Sequence, residues 1–159
     1  MAGRWCHASL LLVPGVTTGF FLVVLLTLPA QAQDVGQIKI SKGAVSIERS
    51  GQKLPAAVGA KVQAGDVVKT GTDGSVGIVF IDASLLSAGP NSVLTIDKFV
   101  FDSTTNQGAF ESTLSKGTLS AVSGKIAKQS PDAMKVKTPA AVLGVRGTEF
   151  VVRALGPGD

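Results

Sequence analysis

Six carboxylates, Asp66, Asp73, Asp82, Asp97, Asp102 and Glu111, are the residues best suited by type to chemistry, because glycoside hydrolysis needs two acids facing one bond. Each stands at a turn signal or on the polar side of an alternating run, and no aromatic platform for a sugar surrounds them. They read as solvated or turn-capping acids. Gly117, Gly124 and Lys125 have the residue types of a phosphate-cradling loop, but the spacing is wrong and Ile126 stands where that loop carries a hydroxyl. No loop has the ligand spacing of a helix-loop-helix calcium site. Cys6 and His7 are the only thiol and the only imidazole.

Both fall in a segment with the marks of an export signal. Arg4 gives a positive start, residues 20–28 (Phe-Phe-Leu-Val-Val-Leu-Leu-Thr-Leu) form an apolar run, Pro29 breaks it, and Ala30-Gln-Ala32 puts small residues where a signal peptidase needs them. Cleavage between Ala32 and Gln33 is expected, with residues 1–32 as the signal peptide. The alternative is an uncleaved anchor counted from Leu10, which Pro14 and Gly15 interrupt. A membrane contact is expected only in that case. Cys6 lies upstream of the apolar run, which argues against a lipoprotein.

Removing 32 of 159 residues leaves 127, enough for one domain with its own core. Cys6, His7 and Trp5 leave with the signal, and the sequence has no Tyr. Ser-His and Cys-His nucleophiles, zinc sites on those ligands and disulfides are therefore excluded from the remainder. No enzyme, cofactor or metal is expected. Without Arg4 the formal charge falls from +4 to +3, with lysines scattered from Lys39 to Lys137. That balance permits an anionic glycan as partner. Nucleic acid is not expected, since no basic cluster is interleaved with stacking aromatics.

The elements that must position these residues are short strands. Turn signals recur every few residues: Lys42-Gly43, Ser50-Gly51, Gly65-Asp66, Asp73-Gly74, Gly89-Pro90-Asn91, Lys116-Gly117, Ser123-Gly124 and Thr138-Pro139. Between them lie alternating, β-branched runs at residues 44–49, 75–81, 92–97, 133–137 and 148–153. Val45 and Ile47 point one way and Ser46 and Glu48 the other; Met134 and Val136 alternate likewise with Lys135 and Lys137. Residues 125–129 could make one helical turn before Pro131 but are read as a loop. The fold class is all-β, and periodicity alone leaves sandwich, barrel and solenoid open.

Residues 54–70, Leu-Pro-Ala-Ala-Val-Gly-Ala-Lys-Val-Gln-Ala-Gly-Asp-Val-Val-Lys-Thr, resemble the opening signature of the FecR domain family. Residues 138–150, Thr-Pro-Ala-Ala-Val-Leu-Gly-Val-Arg-Gly-Thr-Glu-Phe, resemble its second signature, and residues 76–82, Pro90-Asn-Ser92 and Lys116-Gly117 match landmarks between them in order. The family-motif positions are Gly65, Asp66, Thr70, Gly117, Thr138, Pro139, Arg146, Gly147, Thr148 and Phe150. Physical roles are expected to be mainly structural. Gly65 can take positive φ and Asp66 can bond nearby amides, making a turn into Val67-Val68. Pro139 forces Thr138 to be extended and ends a strand. Gly144 and Gly147, bracketing Val145-Arg146, suit a bulge or a close backbone approach. Arg146 serves a packed strand region or, alternatively, grips an anion. Asp82-Ala-Ser84 stands where the family usually has Asp-Gly-Ser, and Ala83 argues against a positive-φ turn there.

The resemblance implies a twisted β-helix, solenoid-like, with a β-sandwich as the alternative, over residues 33–159. It also implies an extracytoplasmic module, periplasmic or secreted, that binds an unidentified envelope protein in signalling or scaffolding. Binding of anionic envelope polysaccharide is the alternative. The best-known members place a cytoplasmic helical segment before a membrane helix; few residues precede the apolar run here, so anti-sigma activity is not expected. Members also continue past the second signature, whereas Gly156-Pro-Gly158 closes this sequence. The domain is thus expected to lack the last strands, leaving residues 148–153 as an open edge, unless the short tail folds back over it or a longer reading frame covers it.

Overall fold

The computed structural model describes residues 33–145 and 149–156, so the expected export signal and the expected cleavage between Ala32 and Gln33 fall outside the described residues. The period-two runs become strands: β1 (Asp34–Lys42), β2 (Val45–Arg49), β3 (Gln52–Pro55), β4 (Lys61–Gln63), β5 (Val67–Thr70), β6 (Ser75–Phe80), β7 (Leu85–Ala88), β8 (Val93–Phe101), β9 (Gly108–Val122), β10 (Met134–Lys137), β11 (Val142–Gly144) and β12 (Glu149–Ala154). The chain is all-β, and its strands form a curled sheet of half-barrel shape. Among the described residues the ladders are antiparallel except β9 with β10.

The curl is organised by β9, whose 15 residues are far more than the roughly 5–6 of an ordinary strand. Along one edge it pairs first with β7, from Leu85 opposite Val122 to Ala88 opposite Leu119, and then with β8, from Val93 opposite Lys116 to Phe101 opposite Gly108. These two strands therefore follow one another down the same side of β9. Its other edge takes β10 beside residues 110–113 and β12 beside residues 117–122. One half of the sheet continues from β7 to β6, β1 and β4, the other from β8 to β5, β2 and β3.

Each half sends a row of side chains inward, as alternation requires. Ile47, Val68, Leu94 and Leu114 stand opposite one another across one half, and Ile38, Ile78, Leu86 and Ala121 across the other; all eight are buried. Burying a side chain of this size contributes roughly 1.5–3 kcal/mol, so these rows hold the curl closed. Phe80 of one half meets Phe99 and Phe110 of the other at ring-centroid distances of 5.5 and 4.6 Å, joining the halves through aromatic contacts. A register shift between Ile38 and Ile40 reverses the alternation in β1, so Ile38 is buried while Ile40 lies over Gly77 on the outer face.

The halves meet where β9 passes Gly117, which has φ 95°. A Cβ there would lie 2.1 Å from Ser92 Oγ and 2.5 Å from Ser92 Cα, so only glycine fits. At the far end of β9 the Asp102 carboxylate caps the turn into it, accepting from the Thr104 amide at 2.8 Å and from Thr105 Oγ1 at 2.9 Å.

Three local expectations are corrected. Residues 125–129 form a short helix, α1 (Lys125–Gln129), because Ile126 and Ala127 gain burial under the sheet and the Ser130 amide reaches Ile126 O at 2.9 Å. Ala83 does adopt positive φ, 66°, despite its Cβ. Buried Asp82 imposes it, taking the Ser84 amide at 3.0 Å and Ser84 Oγ at 2.7 Å, while Ser84 Oγ accepts from the Gly124 amide at 2.9 Å. Gly144 is neither a bulge nor a close approach: it lies within the β11 ladder, and a Cβ there would meet nothing within 4 Å.

Candidate interaction edge

The first signature is sunk into the joints between strands. Asp66 is fully buried, and its carboxylate accepts from Arg49 Nε and Nη2, both at 2.7 Å, and from the Gln63 amide at 2.8 Å. The Asp66 hydrogen bond holds Arg49 above its ordinary pKa, and Arg49 Nη2 also donates to Lys61 O at 3.0 Å. Gly65 has φ 90°, and its amide donates to Ile96 O at 2.7 Å while the Ile96 amide returns to Asp66 O at 3.0 Å. The turn between β4 and β5 is thereby tied to β8.

Thr70 makes a second joint. Its Oγ1 donates to Gly89 O at 2.6 Å and accepts the Ser92 amide at 2.8 Å, and Ser92 Oγ accepts the Thr118 amide at 3.0 Å beside Gly117. Gly65, Asp66, Thr70 and Gly117 therefore offer a ligand no polar side-chain atom: two are glycines, and the other two are spent inside the sheet.

The second signature occupies the free margin. Thr138 closes the turn between β10 and β11, its amide donating to Ala141 O at 2.8 Å and its Oγ1 accepting the Ala141 amide at 3.1 Å, with Pro139 exposed at the tip. Among the described residues, β11 pairs only with β10 and β12 only with β9. Residues 138–145 contain no charged side chain. Val142 is 64% exposed, and Val151 in β12 is 67% exposed. Phe150 is half-buried against the core, opposite Ala121. Arg146, Gly147 and Thr148 lie outside the described residues.

Charge on this side gathers behind the free edges. Lys137 Nζ donates to Glu111 Oε2 at 2.7 Å, which holds the Glu111 carboxyl below and the Lys137 ammonium above their ordinary values. Lys98 and Lys135 stand on either side of Glu111 in the register. Among the described residues no three of His, Cys, Asp and Glu gather to hold a metal, and no helix is long and apolar enough to cross a membrane. A groove of about 460 Å³ beside β2 and β5 carries Lys53 and Lys69, but Glu48 bonds Lys69 and faces Lys53 across the ladder, which offsets their charge.

Sequence reasoning missed Arg49, which lies 17 residues from its carboxylate and carries no local signal. It named Ser92 only as a landmark. The exposed Val142 could have been found from the uncharged run that contains it. A family model described as FecR protein matches residues 66–158, more than half of the chain, from the end of the first signature through the second. No curated protein and no solved structure matches it.

Proposed function

The chain belongs to the FecR protein family, whose members are signalling regulators of the envelope, and from that premise we propose that it is an exported, non-catalytic module that binds a protein partner. The uncharged outer edge of β11 is the binding element. One observation carries this reading: a strand with no charged residue leaves its outer backbone groups unpaired among the described residues and exposes Val142. Proteins ordinarily blunt such an edge with lysine, proline or a covering loop, and an edge left bare is a template for an added strand. The export-signal pattern in the sequence of residues 1–32 supports a periplasmic or secreted location. Anionic polysaccharide has less behind it, because the groove beside Lys53 and Lys69 holds its own counter-charge in Glu48.

The test is retention on the immobilised chain of solubilised outer-membrane proteins against purified wall polymer. Protein retention that Val142→Lys abolishes, with the circular dichroism spectrum unchanged, is the expected result. Retention of polymer alone, or protein retention indifferent to Val142→Lys, would overturn the reading.

A further inference from the structure

The geometry points to a second function for the margin: β12 pairs antiparallel with β12 of a second copy of this chain, about a two-fold axis through Val151. Among the described residues β12 has one strand neighbour, β9, so every second amide and carbonyl along it points away from the sheet. Glu149, Val151 and Arg153 share the outer face of the strand, opposite Val122, Ser120 and Thr118 of β9, and Phe150 and Val152 turn inward. Neither Glu149 nor Arg153 forms a salt bridge among the described residues, and no charged residue faces them across the ladder.

Those positions are self-complementary. In an antiparallel pair centred on Val151, Glu149 of each copy stands opposite Arg153 of the other, Phe150 opposite Val152, and the exposed Val151 side chains meet at the axis. Directly opposite residues share a face, so apolar meets apolar on the inner side and both opposite-charge pairs form on the outer side. Sliding the register by two residues either way places Glu149 or Arg153 against Val151 and leaves both charge pairs unmade. An isologous two-fold contact of this kind closes as a dimer and does not propagate. With only six residues of strand on each side, against the roughly 20–30 residues of a standard interface, it is a weak dimer whose dissociation constant lies in the micromolar-to-millimolar range.

Sedimentation velocity of the purified chain from about ten micromolar to about one millimolar reads this directly. Glu149→Arg sets four like charges across the axis and is expected to raise the dissociation constant at least about tenfold. Adding Arg153→Glu to it re-creates both pairs in reversed sense and restores the dimer. Circular dichroism of both variants confirms that they fold. A chain that stays monomeric throughout, a dimer indifferent to Glu149→Arg, or a double variant that remains monomeric would each overturn the proposal. Loss of this dimer leaves the retention assay on β11 untouched, so the two readings fail separately.

Discussion

Two stretches built from the same kinds of residue, small, turn-forming and β-branched, end in opposite places. Residues 65–70 lie where β4, β5 and β8 meet, and every polar side chain there is bonded within the sheet. Residues 138–145 lie on the rim, with Val142 exposed and one side of β11 unpaired among the described residues. What separates them is strand count on each flank: among the described residues β5 sits between β2 and β8, whereas β11 pairs with β10 alone. A motif residue between two strands is constrained by the fold, and one beside a single strand is available to something else.

Breaking the interior joints should therefore unfold the chain. The largest effect is expected for Gly117→Ala, which combines a positive-φ penalty with a clash on Ser92 and costs about 4 kcal/mol, read as a loss of melting temperature or outright failure to fold. Next comes Arg49→Ala. Stripping the partner from a buried carboxylate costs about 3 kcal/mol, near the lower end of the usual range because Arg49 itself is 29% exposed; urea denaturation measures it. The smallest effect has the opposite sign. Ala83→Gly relieves a left-handed alanine while loosening the unfolded chain, for a net gain of about 0.5–1 kcal/mol by the same denaturation assay. A loss from Ala83→Gly, or an Arg49→Ala chain as stable as the parent, would blur the contrast between interior and rim.

Much of the fold was legible because half-buried strands write themselves as alternation. The runs at residues 44–49, 75–81, 92–97, 133–137 and 148–153 correspond to β2, β6, β8, β10 and β12, displaced at their ends by a residue or a few. The longest strand was not legible. β9 is rich in Ser, Thr, Gly and Ala, whose small side chains blur the alternation, and Lys116-Gly117 reads as a turn when it is a passage from one half of the sheet to the other. Asp66 and Asp82 were recognisable as turn acids, yet the guanidinium that neutralises Asp66 was invisible, because its pairing depends on β2 lying beside β5. The left-handed Ala83 escaped for a related reason: intrinsic preference was read from one residue, and the two hydrogen bonds of its neighbour outweigh it. On the candidate edge, sequence located the segment but not its two faces.

The length of β9 also bears on how the chain reaches this state. Its turn at residues 102–107, capped by Asp102, lets β8 and then β7 zip against it from the nearest neighbours outward, laying down the border of both halves in one local reaction. The pairing of β1 with β6 starts no closer than Lys42 opposite Ser75 and so closes a larger loop than the turn between Phe101 and Gly108, at an entropy cost that grows as about (3/2)RT ln n. A transition state polarised toward the β8–β9 hairpin follows, with the N-terminal strands docking later. β12 takes its register from residues 117–122 of β9, so its outer edge becomes available only after β9 has been laid down and never ahead of it.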